Sequence, residues 1–133
     1  MRIKIKLLYI IIKKKIKNNK IDKLIMKYLN YNSKIMNLNI DGNMVKNAYK
    51  IVNEIIEKER YYQKCLIKSC IIFALFKNKI PIKYNIGIKK DPFSAHAWIE
   101  NMVTGESLYK DEYVYDKQFI KLKPIMEVLK NEI

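Results

Sequence analysis

Asp91-Pro92-Phe93-Ser94-Ala95-His96-Ala97-Trp98-Ile99-Glu100 contains the only histidine and the only tryptophan of the chain. Alternation in its second half predicts a strand with His96, Trp98 and Glu100 on one face. The preceding segment, residues 82–89, alternates apolar residues with lysine, asparagine and glycine, which predicts a half-buried partner strand. The sequence therefore predicts antiparallel strands that present a histidine on one face.

A long apolar segment lies upstream of these strands. From Cys65 to Phe76 the sequence contains no glycine or proline and few polar residues, which predicts a buried helix that Pro81 terminates. Cys65 is expected in the first turn, where free N–H groups and the helix dipole favour thiolate over thiol. Cys70 lies deeper in the apolar segment and is interpreted as an inert core residue.

A carboxylate on the His96 face is expected from the segment that follows. Residues 103–105 predict a hairpin loop, so the chain should return along the histidine strand. The returning segment could pair with the histidine strand so that Asp111 lies opposite His96 or opposite Trp98. In both registers Asp111 is on the His96 face, because side chains alternate between the two faces of a strand. Only the intermediate register puts Glu112 there, so Asp111 is favoured and Glu112 is the competitor.

A thiol, an imidazole and a carboxylate are the parts of a cysteine-nucleophile site. Cys65 would attack a carbonyl, His96 would act as general base and then acid, and Asp111 would orient the ring. Backbone N–H groups at the helix start would receive the oxyanion. Zinc is a poor alternative because the two cysteines have no common zinc spacing and only one histidine is present. No cofactor is expected.

The remaining segments predict an α+β protein. Residues 1–16 fit an amphipathic helix or an edge strand, with a membrane-surface helix as a further interpretation. Their apolar run is too short to span a bilayer and is followed by three lysines, so export is not expected and a cytoplasmic location is favoured. Residues 21–29 and 43–56 predict helices, 113–119 a short strand, and 122–129 a terminal helix.

Length and composition limit the function classes. The 133 residues suit a single domain with a helical part (1–60), a catalytic core (61–115) and a C-terminal strand and helix (116–133). The net charge is +14, but lysine, isoleucine, asparagine and tyrosine, which share A/T-rich codons, make up more than half of the chain. Codon bias therefore explains most of the charge, and no specific nucleic-acid partner is expected.

Four segments resemble a known family in order and spacing. They are Cys65-Leu66-x-Lys68-Ser69, the Ile80-Pro81 helix stop, Ile86-Gly87-Ile88 at the strand end, and the segment from Asp91 to Glu100. Together they resemble the leader peptidases of lasso peptide biosynthesis, a branch of the transglutaminase-like superfamily, over roughly residues 45–115. Two features differ: the hairpin is a couple of residues longer than usual, and Lys79 replaces a glycine.

The resemblance implies a transglutaminase-like or papain-like fold, with a central cysteine-bearing helix packed on a small antiparallel sheet. It implies a cysteine endopeptidase that removes the leader from a ribosomally made lasso precursor, with Cys65, His96 and Asp111 as the triad. The implied partners are the precursor peptide, a separate leader-recognition protein and a lasso cyclase. Two alternatives stay open: another acyl-transfer enzyme of this fold, such as an amidase or peptidase, and a non-enzymatic basic binding module.

Overall fold

The computed structural model of the chain describes residues 1–31 and 42–122. Within these ranges the elements are α1 (Arg2–Lys17), α2 (Ile21–Leu29), α3 (Gly42–Ile55), α4 (Tyr61–Phe76), β1 (Ile82–Lys89), β2 (Ser94–Asn101), a 3₁₀ turn (Lys110–Glu112), α5 (Tyr113–Asp116) and β3 (Ile120–Lys121). The strands form one antiparallel sheet in the order β2-β1-β3. The expected α+β class is confirmed.

Helix α4 lies at the centre of the fold. It packs on β1 and β2, and α1 and α3 pack against it as well. Ile71, Ile72 and Phe73 are consecutive and fully buried, so α4 is covered on all sides at this point. A helix that is apolar all round is stable in water only in such a position. The predicted buried helix is thus present.

Strand β1 is central in the sheet, so its alternating pattern does not mark one buried and one solvated face. Gly87 lies opposite His96 of β2 on one side and opposite Lys121 of β3 on the other. Asn85, expected on a solvated face, is buried and donates a hydrogen bond to Glu100 at 3.0 Å. The strand itself was predicted correctly, but both of its faces are largely covered.

The chain leaves β2 through the expected turn but does not return as a full strand. The amide of Asn101 donates to Glu106 at 2.7 Å and that of Leu108 to Ile99 at 2.8 Å. Residues 110–116 are helical and 117–119 form a turn, so the predicted strand over 113–119 is wrong over its whole length. Acidic residues 111 and 112 favour a helix start, because they lie near its positive dipole end.

The N-terminal segments form the helices α1, α2 and α3, so the edge-strand alternative for residues 1–16 is excluded. Most of the predicted helix over 122–129 falls outside the described residues. Across residues 1–31 and 42–122, every helix is too short or too polar to cross a membrane.

Candidate active site

Cys65 is held next to β2 by a polar contact between helix and sheet. It is the fifth residue of α4 and is half-buried. One turn later, the buried Ser69 hydroxyl donates to the carbonyl of Ala97 at 2.9 Å. Because Ala97 follows His96 directly, this bond fixes the distance between the cysteine turn and the histidine. The thiol and the His96 ring share a hydrogen bond.

The N-terminal end of α4 differs from the expectation in one respect. The helix begins at Tyr61, so Cys65 lies at the start of the second turn and not in the first. The amides of Gln63 and Lys64 both donate to the carbonyl of Arg60, at 2.9 and 3.2 Å. These two N–H groups are therefore occupied, and the expectation that the helix start supplies free oxyanion donors fails for them.

His96 contacts a buried carboxylate through the ring nitrogen Nε2. Its Nε2 lies 2.5 Å from Oδ1 of Asp116, and the second carboxylate oxygen accepts a hydrogen bond from the Ser107 hydroxyl at 2.6 Å. His96 is 8% exposed and Asp116 only 2%. Because Asp116 occupies Nε2, Nδ1 is the ring nitrogen left for Cys65. The order Ser107, Asp116, His96, Cys65 is a continuous polar chain.

The predicted position of Asp111 beside His96 is wrong. Asp111 lies in the 3₁₀ turn, is exposed and interacts with the Tyr109 hydroxyl. The competitor Glu112 does not contact His96 either, since it forms an ion pair with Lys68 at 2.6 Å. The physical reason is that strand pairing stops near Ser107, so strand parity no longer governs the later side chains.

Asp116 was missed because residues 113–119 were interpreted as a strand. A helical interpretation of 110–116 would have placed Glu112 and Asp116 four residues apart on one face. That face does point to the site, since Glu112 contacts Lys68 and Asp116 contacts His96. Asp116 also lies one residue beyond the predicted catalytic core of 61–115.

The pKa values of Cys65 and His96 move toward an ion pair. Burial raises the pKa of the Cys65 thiol, but the hydrogen bond to His96, the Ala97 N–H and the charge of Lys68 outweigh it, and the pKa is lowered. For His96, burial lowers the pKa, whereas the hydrogen bonds and charges of Asp116 and Cys65 raise it to about 9. Both directions favour a thiolate–imidazolium pair over the neutral thiol and imidazole.

Aromatic rings enclose the imidazole. Trp98 stacks on it with centroids 5.5 Å apart and an interplanar angle of 13°. Tyr115 meets it edge-on at 5.0 Å, and Phe119 lies at 4.9 Å. Such contacts limit ring rotation and exclude water from the His96–Asp116 hydrogen bond, which strengthens it.

Gly87 makes this aromatic enclosure possible. A Cβ atom at this position would lie 2.8 Å from the Trp98 ring, 2.9 Å from the Ile120 carbonyl and 2.9 Å from Phe119. Two of these neighbours belong to the enclosure and the third is backbone, so none of them can move without cost. The absence of a side chain at Gly87 lets β1 pass under the Trp98 ring.

We expect Gly87→Ala to lower the free energy of unfolding by about 1–3 kcal/mol, because overpacking displaces Trp98 or β3. Gly42→Ala is the matched control, since a Cβ at Gly42 meets nothing within 4 Å. The control should leave stability unchanged or raise it by about 0.5 kcal/mol. Urea unfolding of both variants checks this, and equal stability of Gly87→Ala and wild type would contradict the close approach.

A cleft of about 600 Å³ opens at Cys65. Charged groups line it: Lys64 and Lys68 from α4, and Asp111 and Glu112 from the 3₁₀ turn. The exposed Phe93 ring also lines the cleft. The cleft reaches both Cys65 and His96. It can therefore present a carbonyl to the sulfur. In the described part of the chain, no three His, Cys, Asp or Glu side chains are arranged to hold a metal ion.

The ion pair predicts selective alkylation. Iodoacetamide should modify Cys65 with a midpoint below the pH of about 8.5 typical of a free thiol, because His96 stabilises the thiolate. Cys70 should stay unmodified, since burial raises its pKa to about 11. His96→Asn should move the Cys65 midpoint upward. Mass spectrometry measures the modification of both cysteines across pH 5–10. An unchanged Cys65 midpoint in His96→Asn would contradict the thiolate–imidazolium pair.

Comparison with known proteins gives one match. The family model described as the transglutaminase-like superfamily matches residues 37–118, which is more than half of the chain and includes all four residues of the polar chain. No curated protein and no solved structure matches the sequence. The superfamily includes cysteine-based acyltransferases and peptidases, and its members usually use a Cys-His-Asp triad. This chain therefore belongs to the transglutaminase-like superfamily.

Proposed function

We propose that the protein is a cysteine endopeptidase that removes the leader from a ribosomally made lasso peptide precursor. The observation that carries the catalytic part is the polar chain from Asp116 through His96 to Cys65 at the wall of an open cleft. In this proposal Asp116 takes the role that the sequence had suggested for Asp111.

In the acylation step, the Cys65 sulfur attacks the scissile carbonyl carbon and the carbonyl π electrons move to oxygen. The tetrahedral intermediate collapses, the C–N bond breaks, and Nδ1–H of His96 gives its proton to the leaving amine. The products of this step are a free amine and a thioester at Cys65. Asp116 keeps Nε2 protonated, which leaves Nδ1 as the nitrogen that exchanges the proton.

In the deacylation step, neutral His96 removes a proton from water, which attacks the thioester carbonyl. The C–S bond then breaks, the carboxylic acid product leaves and the sulfur returns as thiolate beside imidazolium. The carboxylate of Asp116 stabilises the charged ring in the resting enzyme and in the tetrahedral intermediates, whereas the ring is neutral in the thioester intermediate. Burial of Asp116 strengthens this interaction because the surrounding dielectric is low.

The lasso assignment is supported by the segments from Cys65 to Ser69 and from Asp91 to Glu100, whose residues resemble those of lasso leader peptidases. A cleft of about 600 Å³ that is open to solvent suits an extended peptide. A reducing cytoplasm suits a thiolate nucleophile, and the proposal places the enzyme there. The partners would be the precursor, a separate leader-recognition protein and a lasso cyclase.

The test is cleavage of a precursor by the full chain, followed by mass spectrometry with and without the recognition protein. We expect slow cleavage alone and about 10²-fold stimulation by the partner, because the partner raises the effective concentration of the scissile bond. A precursor with a scrambled leader is the control and should not be stimulated. Hydrolysis of simple amides without leader cleavage would favour the other acyl-transfer enzyme, and an unreactive Cys65 would favour the binding module.

A further inference from the structure

Helix α1 has two opposite apolar faces. One face is in the core, where Ile5 is fully buried and Ile12 is 2% exposed. The opposite face is also apolar although it lies at the surface. We call it the α1 outer stripe, and its members are Ile3, Leu7, Ile10 and Ile11, which are 76%, 56%, 60% and 50% exposed.

Lysines flank the outer stripe on both sides. At 100° per residue, Lys6 and Lys17 lie along one edge, whereas Lys4 and Lys15 lie along the other. Lys14 falls within the stripe only at the last turn. The sequence of α1 contains no acidic residue. The helix therefore exposes an aliphatic strip between two rows of positive charge.

Two ion pairs flank the buried face of α1. Arg2 pairs with Glu54 at 3.0 Å, and Lys13 pairs with Glu59 at 2.8 Å. Burial of Ile5 and Ile12 directs this face of α1 into the core, and the two ion pairs link its flank to α3 and to the residues after it. The outer stripe consequently faces away from the core in the folded protein.

The lysine- and isoleucine-rich composition of the chain does not explain this stripe. The same composition bias applies to α3, whose outward positions carry polar residues such as Lys46, Asn47, Lys50 and Asn53. The same codon bias could thus have supplied lysine or asparagine at the outer positions of α1. The apolar residues there are a property of this helix and not of the chain.

We propose that the α1 outer stripe binds an anionic lipid surface, with the helix lying in the plane of the headgroups. An interfacial helix of this kind buries a narrow apolar face and places lysines at its borders, where they meet lipid phosphates. Protein interfaces are instead depleted in lysine and enriched in aromatic residues and arginine. The lysines along both edges of the outer stripe therefore favour lipid over protein.

Membrane binding is compatible with access to the Cys65 cleft. The residues that line the cleft come from α4, β2 with the turn before it, and the helical segment that follows β2, whereas α1 contributes none of them. Lipid binding at α1 does not depend on the proposed peptidase activity.

The test is flotation of the full chain with vesicles at about 0.15 M salt. One set of vesicles is pure phosphatidylcholine, and the other contains about one third phosphatidylglycerol. We expect binding to the anionic set, weak binding to the neutral set, and at least a tenfold loss of binding in Leu7→Asn/Ile10→Asn. The matched control is Met102→Asn/Val103→Asn, which removes two exposed apolar side chains from the turn after β2 and should bind like wild type.

A second pair of variants separates local from general charge. Lys6→Gln/Lys17→Gln should weaken binding more than Lys46→Gln/Lys50→Gln, although both remove two positive charges. Equal weakening, or unchanged binding of Leu7→Asn/Ile10→Asn, would overturn the proposal, because the net charge would then be sufficient. Absence of binding to the anionic vesicles would also overturn it, and self-association that Leu7→Asn/Ile10→Asn abolishes would then assign the outer stripe to a protein interface. Circular dichroism and thermal unfolding verify folding of each variant.

Discussion

Cys65→Ala is expected to reduce leader cleavage by about four orders of magnitude or more, whereas Cys70→Ala retains most of the activity. Loss of a nucleophile removes the covalent route, and the remaining members of the site cannot replace it. Cys70 is fully buried, its sulfur lies 3.7 Å from the Tyr84 hydroxyl, and burial raises its pKa. A buried thiol of this kind has no route to a substrate.

The measurement is single-turnover cleavage of the precursor with the recognition protein in excess. Each variant is first checked for folding, because Cys70→Ala removes buried volume from the core and lowers stability by about 1 kcal/mol. Wild-type activity in Cys65→Ala would end the enzymatic interpretation. A lower rate in the Cys70 variant, with intact folding, would show that the second thiol takes part.

Asp116→Asn is expected to lower turnover by about 10²–10⁴-fold with the fold preserved. The amide cannot stabilise the imidazolium, and its NH₂ group facing Nε2 favours the wrong ring tautomer. Asp111→Asn is the matched control, because Asp111 lines the same cleft but contacts Tyr109 and not His96. We expect the control to change turnover less than about threefold.

The pH profile distinguishes a positioning role of Asp116 from a purely structural one. Wild-type activity should fall as the pH rises through about 9, because His96 then loses the proton that the leaving amine needs. In Asp116→Asn the imidazolium loses a stabilising negative charge, so the pKa of His96 falls. The decline of activity at high pH should therefore move to lower pH. An inactive Asp111→Asn beside an active Asp116→Asn would reverse the assignment.

The sequence alone determined the parts of the site that lie on regular elements. The apolar run from Cys65 to Phe76 predicted a buried helix, because it contains no glycine or proline and is longer than a typical strand. Alternation in β2 put His96 and Trp98 on one face, and their rings are in fact stacked. Period and hydrophobicity are local properties, so they can be deduced from the chain without its tertiary contacts.

The tertiary structure decided which carboxylate meets the histidine. Strand parity favoured Asp111, but parity applies only while the strands pair, and pairing ends near Ser107. The helical turn that follows turns Asp116 inward, where Ser107 and His96 satisfy both carboxylate oxygens. The length of a hairpin depends on how well each further pair competes with helix formation and with core contacts. The outcome depends on long-range packing, which cannot be deduced from the periodicity of apolar residues along the chain.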